Sequence, residues 1–191
     1  MKNFKVIQYG FINKSFAKDK KYINWSRIFE WKYVLDHIKY SKPKNIHNTA
    51  CGGLDINDCL HLTFCRDLNA LVPNTVHSDV WGRDNYIGIK NKPKGDNFIF
   101  YDITKEHKNK YDLVLNISVI EHLPITQQIN ALYNLMNQVA SLGELIVSFD
   151  YPDVDINNIK KVIGIEPSGY EQRLIGKNNR SVLLLHLKRL I

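Results

Sequence analysis

The sequence predicts an α/β fold: a three-layer sandwich around a mostly parallel, seven-stranded sheet that ends in an antiparallel β-hairpin. Three observations support this prediction. Strand-like runs alternate with helical patterns along the chain, which is typical of parallel strands joined by right-handed crossovers. The run at residues 111–117 is almost continuously apolar, as expected of a strand buried on both faces. Near the C-terminus, two strand-like runs flank the Gly/Asn turn at residues 176–179, which indicates a hairpin.

Length and composition suit one domain, because the chain has 191 residues and 44% of them are hydrophobic. We divide it into an N-terminal segment and helix (1–42), a core of alternating strands and helices (43–150) and a C-terminal helix and hairpin (151–191). No apolar run is long enough for a transmembrane helix or a signal peptide. We therefore expect a cytoplasmic protein without membrane contact.

Charge and cysteine usage exclude further classes. The net charge is +7, but the lysines are scattered, which is typical of a solvated surface and predicts no nucleic-acid partner. Cys51, Cys59 and Cys65 are odd in number and form no Cys-x-x-Cys pair, so we expect no disulfide framework. Together with His61 they match no zinc-ligand spacing, so we expect no metal. The oligomeric state is left open.

The individual elements follow from apolar periodicity and from turn residues. The first helix begins at Asn24 or Ser26 and ends near Lys39, just before Pro43. A clear helix follows Pro124, continues through Ala140 and is ended by Gly143. The remaining predictions are an irregular N-terminal stretch (1–21), strands at 45–50, 75–80, 98–101, 111–117 and 144–149, helices at 55–71 and 156–163, a short strand or helix at 86–89, and hairpin strands at 171–175 and 180–187.

Candidate ligand-binding residues follow the strands, because open α/β sheets bind ligands beyond the carboxyl ends of their strands. Asp79 follows the second strand, where a carboxylate can accept hydrogen bonds from both hydroxyls of a ribose. Asp102 follows the third strand, where a carboxylate can accept from an adenine amino group. The residues that follow the first and fourth strands are Ala50, Cys51, Gly52 and Gly53, and Asn116, Ile117, Ser118, Glu121 and His122.

Residues 111–124 read Tyr-Asp-Leu-Val-Leu-Asn-Ile-Ser-Val-Ile-Glu-His-Leu-Pro. They resemble the fourth-strand motif of the class I S-adenosylmethionine-dependent methyltransferases, in the small-molecule branch (methyltransferase type 11-like). Residues 98–104 resemble the third-strand motif, residues 142–147 the stretch before the fifth strand, and residues 25–31 a leader helix of some members. The resemblance covers roughly residues 46–149.

The resemblance implies a Rossmann-like fold, S-adenosylmethionine as cofactor and methyl transfer to a small-molecule acceptor. It implies that Asp79 holds the ribose, that Asp102 and Ile103 frame the adenine, and that Asn116 lies near the sulfonium. The full set of implied cofactor-binding residues is Ala50, Cys51, Gly52, Asp79, Val80, Asp102, Ile103, Asn116 and Ile117.

The glycine loop departs from the family pattern. Asn48 stands where an acid is usual, and Ala50 and Leu54 stand where glycines are usual. The gap from Asn48 to Asp79 is 31 residues (79 − 48), longer than the usual spacing of about 20. These departures favour, as an alternative, a non-catalytic binding protein on the same fold. A nicotinamide-dependent enzyme is the other alternative, but the loop lacks Gly-x-Gly-x-x-Gly.

His122 is the candidate general base, with Glu121 beside it, for acceptors that are poor nucleophiles. The alternative interpretation is that this pair caps the following helix and orients the loop. Some relatives bind a metal at Glu-x-x-Glu-His, but Ser118 occupies the first of those positions, so we predict no metal there. The leader helix allows two interpretations. In the first, Glu30 and Trp31 are part of a lid over the cofactor. In the second, Glu30 forms a surface ion pair with Arg27, and Trp31 is a core residue. His186, in an apolar run, is interpreted as a core histidine.

Overall fold

The computed structural model describes residues 3–11, 25–51, 59–80, 97–151, 153–164 and 181–191. These ranges contain seven strands, four α-helices and one 3-10 turn. The strands are β1 (Phe4–Phe11), β2 (Ile46–Thr49), β3 (Thr75–Asp79), β4 (Asn97–Phe100), β5 (Tyr111–Ile117), β6 (Val139–Tyr151) and β7 (Ser181–Arg189). The helices are α1 (Trp25–Ser41), α2 (Cys59–Leu71), α3 (Ile125–Asn137) and α4 (Ile156–Ile163), and the 3-10 turn is Ile120–His122.

All seven strands form one sheet in the order β1-β7-β6-β5-β2-β3-β4. The pairs from β6 to β4 are parallel, whereas β7 runs antiparallel to both of its neighbours. Six strands therefore point in one direction, and β2, β3, β4, β5 and β6 end at the same edge of the sheet. The predicted fold class, a mostly parallel seven-stranded Rossmann-like sheet, is confirmed.

Apolar residues of β5 face both sides of the sheet, which builds the three layers. Val114 packs in a cluster with residues of α3 and α4, including Leu132. Leu113 packs on the opposite face with Val34 of α1 and Leu68 of α2. This alternation follows from the two-residue period of a strand, and it makes β5 the centre of both cores.

The prediction that the N-terminal stretch is irregular was wrong. Residues Phe4–Phe11 form β1, which pairs antiparallel with β7 from Phe4↔Arg189 to Phe11↔Leu183. Without β1, the outer edge of β7 would present unpaired backbone groups, so a seventh strand there satisfies them. The predicted hairpin strand at 171–175 and the element at 86–89 lie outside the described residues, whereas β7 confirms the antiparallel final strand.

The boundary between α3 and β6 also differs from the prediction. The helix ends at Asn137, and Val139 and Ala140, which were predicted to be helical, begin β6. Gly143 does not end the helix but lies within β6, where a Cβ atom would come within 2.8 Å of the Asp112 carbonyl oxygen. The close backbone approach therefore explains this glycine. Among the described residues, no helix has both the length and the apolar character needed to cross a membrane.

Candidate cofactor-binding site

The ends of β2 and β5 are joined by a hydrogen-bonded pair of polar side chains. Thr49 Oγ1 donates to the Leu115 carbonyl oxygen at 2.7 Å and accepts from Asn116 Nδ2 at 2.9 Å. Because the Thr49 hydrogen is already used, the Asn116 amide must present its NH2 group to Thr49. Asn116 Oδ1 is then left as a fully buried acceptor with no hydrogen-bond partner in the described part of the chain.

Immediately beyond these strand ends the backbone turns sharply at two residues. Ala50, after β2, has φ 49°, and Ser118, after β5, has φ 50°. This left-handed conformation costs a non-glycine residue roughly 1–2 kcal/mol. The neighbouring backbone is held in place, because the Cys51 N–H donates to the Ser78 carbonyl and the Ser118 N–H donates to the Ser148 carbonyl, both at 2.9 Å.

A small open pocket lies beside these turns. Trp31 of α1 forms one wall and stacks on Phe64 of α2, with ring centroids 4.9 Å apart. The aromatic wall and the strand ends therefore enclose the same space. The residues that line the pocket are Trp31, Asn48, Thr49, Ala50, Cys51, Phe64 and Ile117.

Asp79 is the last residue of β3 and lies next to this pocket. Only 2% of the Asp79 surface is exposed. Its charge is close enough to Cys51 to contribute to the raised pKa of that thiol, after the larger effects of the Cys65 hydrogen bond and of burial. Cys51 is therefore a neutral thiol at neutral pH. The side chain of Val80, the next residue, is exposed.

Asp102 and Ile103 lie on the loop that follows β4. Asp102 Oδ1 accepts from the Thr104 N–H at 2.8 Å and from the Thr104 hydroxyl at 2.7 Å, so this carboxylate also shapes its own turn. The Ile103 side chain is buried in the core against the α3 face of the sheet. A ligand bound at the carboxyl ends of the strands would therefore contact the backbone of Ile103 and not its side chain.

Glu30 is the site residue whose surroundings the sequence did not reveal. Its side chain is fully buried, so the interpretation as half of a surface pair with Arg27 was wrong. Glu30 Oε1 accepts hydrogen bonds from Ser118 Oγ at 2.6 Å and from Ser148 Oγ at 2.5 Å. A signal was available, because Glu30 precedes the buried residue Val34 by four positions on the same helix face.

Asn48, at the position where the resemblance implies an acid, is held in a polar network of its own. Its Nδ2 donates to His77 Nδ1 at 3.2 Å and approaches Cys65 Sγ at 3.7 Å. His77 Nε2 faces the Asn69 side-chain oxygen at 3.1 Å, so the imidazole carries its proton on Nε2 and accepts at Nδ1. A neutral amide is therefore the group that fits position 48.

Glu121 and His122 lie in the 3-10 turn after β5. Glu121 is buried, whereas His122 is exposed, and neither lines the pocket described above. The interpretation that they cap the next helix was wrong, because the cap of α3 is Pro124 and no side chain caps it. Gly52, predicted to lie along the methionine part of the cofactor, is outside the described residues.

Comparison with known proteins identifies the fold. No family model matches the sequence, and no curated protein matches it. An S-adenosylmethionine-dependent methyltransferase from Clostridium acetobutylicum ATCC 824 matches with a TM-score of 0.60 at 11% identity, over 88% of this chain and 93% of that one. Magnesium protoporphyrin IX methyltransferase (ChlM) from Synechocystis PCC 6803, solved with S-adenosylmethionine, matches with a TM-score of 0.58 at 16% identity, over 90% and 86%.

The N-methyltransferase NodS from Bradyrhizobium japonicum WM9, in complex with S-adenosylhomocysteine, matches with a TM-score of 0.56 at 15% identity, over 91% of each chain. At these identities the likeness defines the fold: the chain has the Rossmann-like fold of the class I S-adenosylmethionine-dependent methyltransferases. The resemblance drawn from the sequence is thus confirmed at the level of the fold.

Proposed function

We propose that this protein binds S-adenosylmethionine at the carboxyl ends of β2, β3, β4 and β5 and transfers its methyl group to a small-molecule acceptor. The observation that carries the proposal is the buried acceptor Asn116 Oδ1, which has no hydrogen-bond partner among the described residues. A buried acceptor of this kind is costly unless a ligand supplies a donor. The ammonium group of the cofactor's methionine part is such a donor; because Asn116 does not line the pocket in this structure, the proposal requires that its side chain becomes accessible when the cofactor binds.

The other residues at this edge fit the rest of the cofactor. Asp79 is proposed to accept hydrogen bonds from the ribose hydroxyls and Asp102 from the adenine amino group. The remaining contacts are assigned to the backbone of residues beside these acids and along the pocket wall. These residues are Ala50, Cys51, Gly52, Val80, Ile103 and Ile117.

The cofactor supplies an already activated methyl group on its sulfonium, so this chain's residues need mainly to align an acceptor and exclude water. Trp31 and Phe64 favour this role, because their stacked rings form an apolar wall next to Ala50 and Cys51. His122 is proposed as the general base for hydroxyl acceptors, since its exposed ring can reach a substrate that enters from solvent. Glu121 is proposed to orient the turn that carries it.

Two other functions remain to be tested against this one. A non-catalytic binding protein is favoured by Asn48, whose amide is tied to His77 and does not supply the family's acid. A nicotinamide-dependent enzyme is disfavoured by the missing Gly-x-Gly-x-x-Gly loop. The cytoplasmic location and the absence of a nucleic-acid partner stay predictions.

Thermal unfolding with S-adenosylmethionine, S-adenosylhomocysteine and NAD, each tested separately, distinguishes these functions. Binding to the folded state at a hundredfold excess over the dissociation constant adds about 2.7 kcal/mol of stability. We expect stabilisation by the first two ligands and none by NAD. Stabilisation by NAD alone would refute the proposal. Stabilisation by the first two without turnover on any amine, hydroxyl or carboxylate acceptor would favour the binding protein.

A further inference from the structure

A second cluster of polar side chains lies between α1 and the sheet, and none of its residues lines the pocket. It consists of His37 from α1, Glu144 from β6 and His186 from β7. One nitrogen or oxygen atom from each of the three lies within 4.8 Å of the other two. Because Glu144 pairs with Leu113 near the start of β5, the cluster lies toward the opposite edge of the sheet from Asn116.

The donor atoms of the three side chains lie close enough together to share one metal ion. His37 Nε2 contacts Glu144 Oε2, and His186 Nε2 is 3.4 Å from the same oxygen. Ligands of a tetrahedral zinc ion with bonds of about 2.0–2.1 Å lie roughly 3.3 Å apart. The His186–Glu144 separation matches that value, whereas His37 Nε2 is in direct contact with the same oxygen and must move away from it to ligate the ion.

His186 supplies an independent observation. The residue is 1% exposed, and its Nε2 atom lies 3.4 Å from Glu144 Oε2 without making a hydrogen bond in the described part of the chain. Its other nitrogen, Nδ1, is 2.9 Å from the Tyr33 hydroxyl. For Nε2 to ligate a metal, Nδ1 must carry the proton and donate it to the Tyr33 oxygen, which is the arrangement that metal-bound histidines adopt.

We propose that His37, Glu144 and His186 bind one zinc ion, which fastens α1 to β6 and β7. Two imidazoles and a carboxylate are a donor set that suits zinc, and a fourth position is left for water. The ion would act structurally, because His37 comes from the same helix as Glu30 and Trp31. By holding that helix on the sheet, it would stabilise one wall of the pocket without taking part in the reaction.

The charges around the cluster decide how tightly the ion is held. Lys188 Nζ is 3.3 Å from Glu144 Oε1, whereas His37 and His186 contact the other carboxylate oxygen, Oε2. This ammonium orients the carboxylate, but its positive charge repels a cation. Glu144 and Tyr33 are the other titratable groups that face the histidines from their neighbouring elements. Removal of the Lys188 charge should therefore tighten zinc binding.

The test is calorimetric titration of zinc chloride into the chelator-treated full chain without a histidine tag. We expect one ion per chain, affinity at least about a hundredfold weaker in His186→Gln, and affinity at least about threefold tighter in Lys188→Met. If His186→Gln does not fold, His37→Gln on the partly exposed face of α1 provides the same comparison. Zinc should also raise the unfolding temperature of the wild-type chain.

A matched control separates this cluster from the other one in the described chain, formed by Cys51, Cys65 and His77. Cys65→Ser should leave the zinc affinity unchanged, and cobalt in place of zinc should give the visible bands of nitrogen and oxygen ligands without a thiolate band. No zinc binding, binding that survives both histidine substitutions, or binding abolished by Cys65→Ser would overturn the proposal. The proposal does not depend on S-adenosylmethionine binding, which the thermal shift measures separately.

Discussion

The Glu30 carboxylate accepts a hydrogen bond from the Ser118 hydroxyl at 2.6 Å, and this contact fastens α1 to the turn that ends β5. The same oxygen also accepts from Ser148 of β6, so one buried acid joins α1 to the turn after β5 and to β6. The leader helix is therefore part of the site and not a separate appendage.

Glu30→Ala should destabilise the protein, because it leaves two buried hydroxyl donors without their acceptor. Hydrogen bonds to charged groups contribute roughly 1.5–3 kcal/mol each, and lost partners add a desolvation cost, so we expect a loss of roughly 2–4 kcal/mol in urea unfolding. Glu30→Gln keeps an acceptor and should lose less. The exposed Glu106→Ala is the control and should change stability by no more than about 0.5 kcal/mol. Equal effects of Glu30→Ala and Glu106→Ala would contradict the assignment.

Asn48→Asp restores the acid that the resemblance implies, yet it should destabilise this chain. The Asn48 amide donates to His77 Nδ1, and a carboxylate there would face an acceptor instead of a partner. We expect a loss of roughly 1–3 kcal/mol at neutral pH, measured by chemical unfolding. The matched comparison is Asn48→Ala, which removes the hydrogen-bond donor without adding a charge. A more stable Asn48→Asp variant would mean that the network has been misread.

His47 should make stability fall as the pH is lowered. The side chain is fully buried, with Nδ1 2.6 Å from Gln138 Oε1 and Nε2 2.8 Å from Ser78 Oγ, and burial lowers its pKa to about 3. The unfolded chain takes up a proton near pH 6.5, whereas the folded chain does not until about pH 3. The contribution of the neutral His47 to the free energy of unfolding is complete above pH 6.5. Below that pH it is lost at about 1.4 kcal/mol per pH unit.

Urea unfolding of the wild-type protein and of His47→Gln between pH 7 and pH 5 measures this contribution. The wild-type chain should lose about 2 kcal/mol more than the variant over that range. Ser78→Ala removes one hydrogen bond to the ring but keeps the imidazole, so its slope should stay as steep as that of the wild-type chain. Parallel slopes for wild type and His47→Gln would contradict the buried neutral state of the histidine.

Elements with strong local signals could be predicted from the sequence. Residues 111–117 were predicted as a strand and 156–163 as a helix, and β5 and α4 have these same bounds. In contrast, β1 exists because its partner β7 lies at the other end of the chain, a pairing that local patterns do not encode. Val139 and Ala140 continue the helical period of α3, but pairing of β6 with Tyr111 overrides it.

The candidate site could also be predicted only where local sequence patterns determine it. The positions of Asp79 and Asn116 followed from where the strands end, because the carboxyl ends of parallel strands meet at one edge. The burial of Glu30 depends on Ser118 and Ser148, which are about a hundred residues away in sequence, so only its helical spacing hinted at it. The orientation of the Asn116 amide depends on Thr49 and became visible only with the folded backbone.

The most direct test of the central claim is calorimetric titration of S-adenosylmethionine into the wild-type chain and into Asp79→Asn. The exposed acid on α2, Asp67→Asn, serves as the matched control. We expect one molecule bound per chain by the wild-type protein and by the control, and an affinity at least about tenfold weaker for Asp79→Asn, because hydrogen bonds to a charged acceptor contribute roughly 1.5–3 kcal/mol. No binding to the wild-type chain, or equal affinity in Asp79→Asn, would contradict a cofactor held by its ribose at the end of β3.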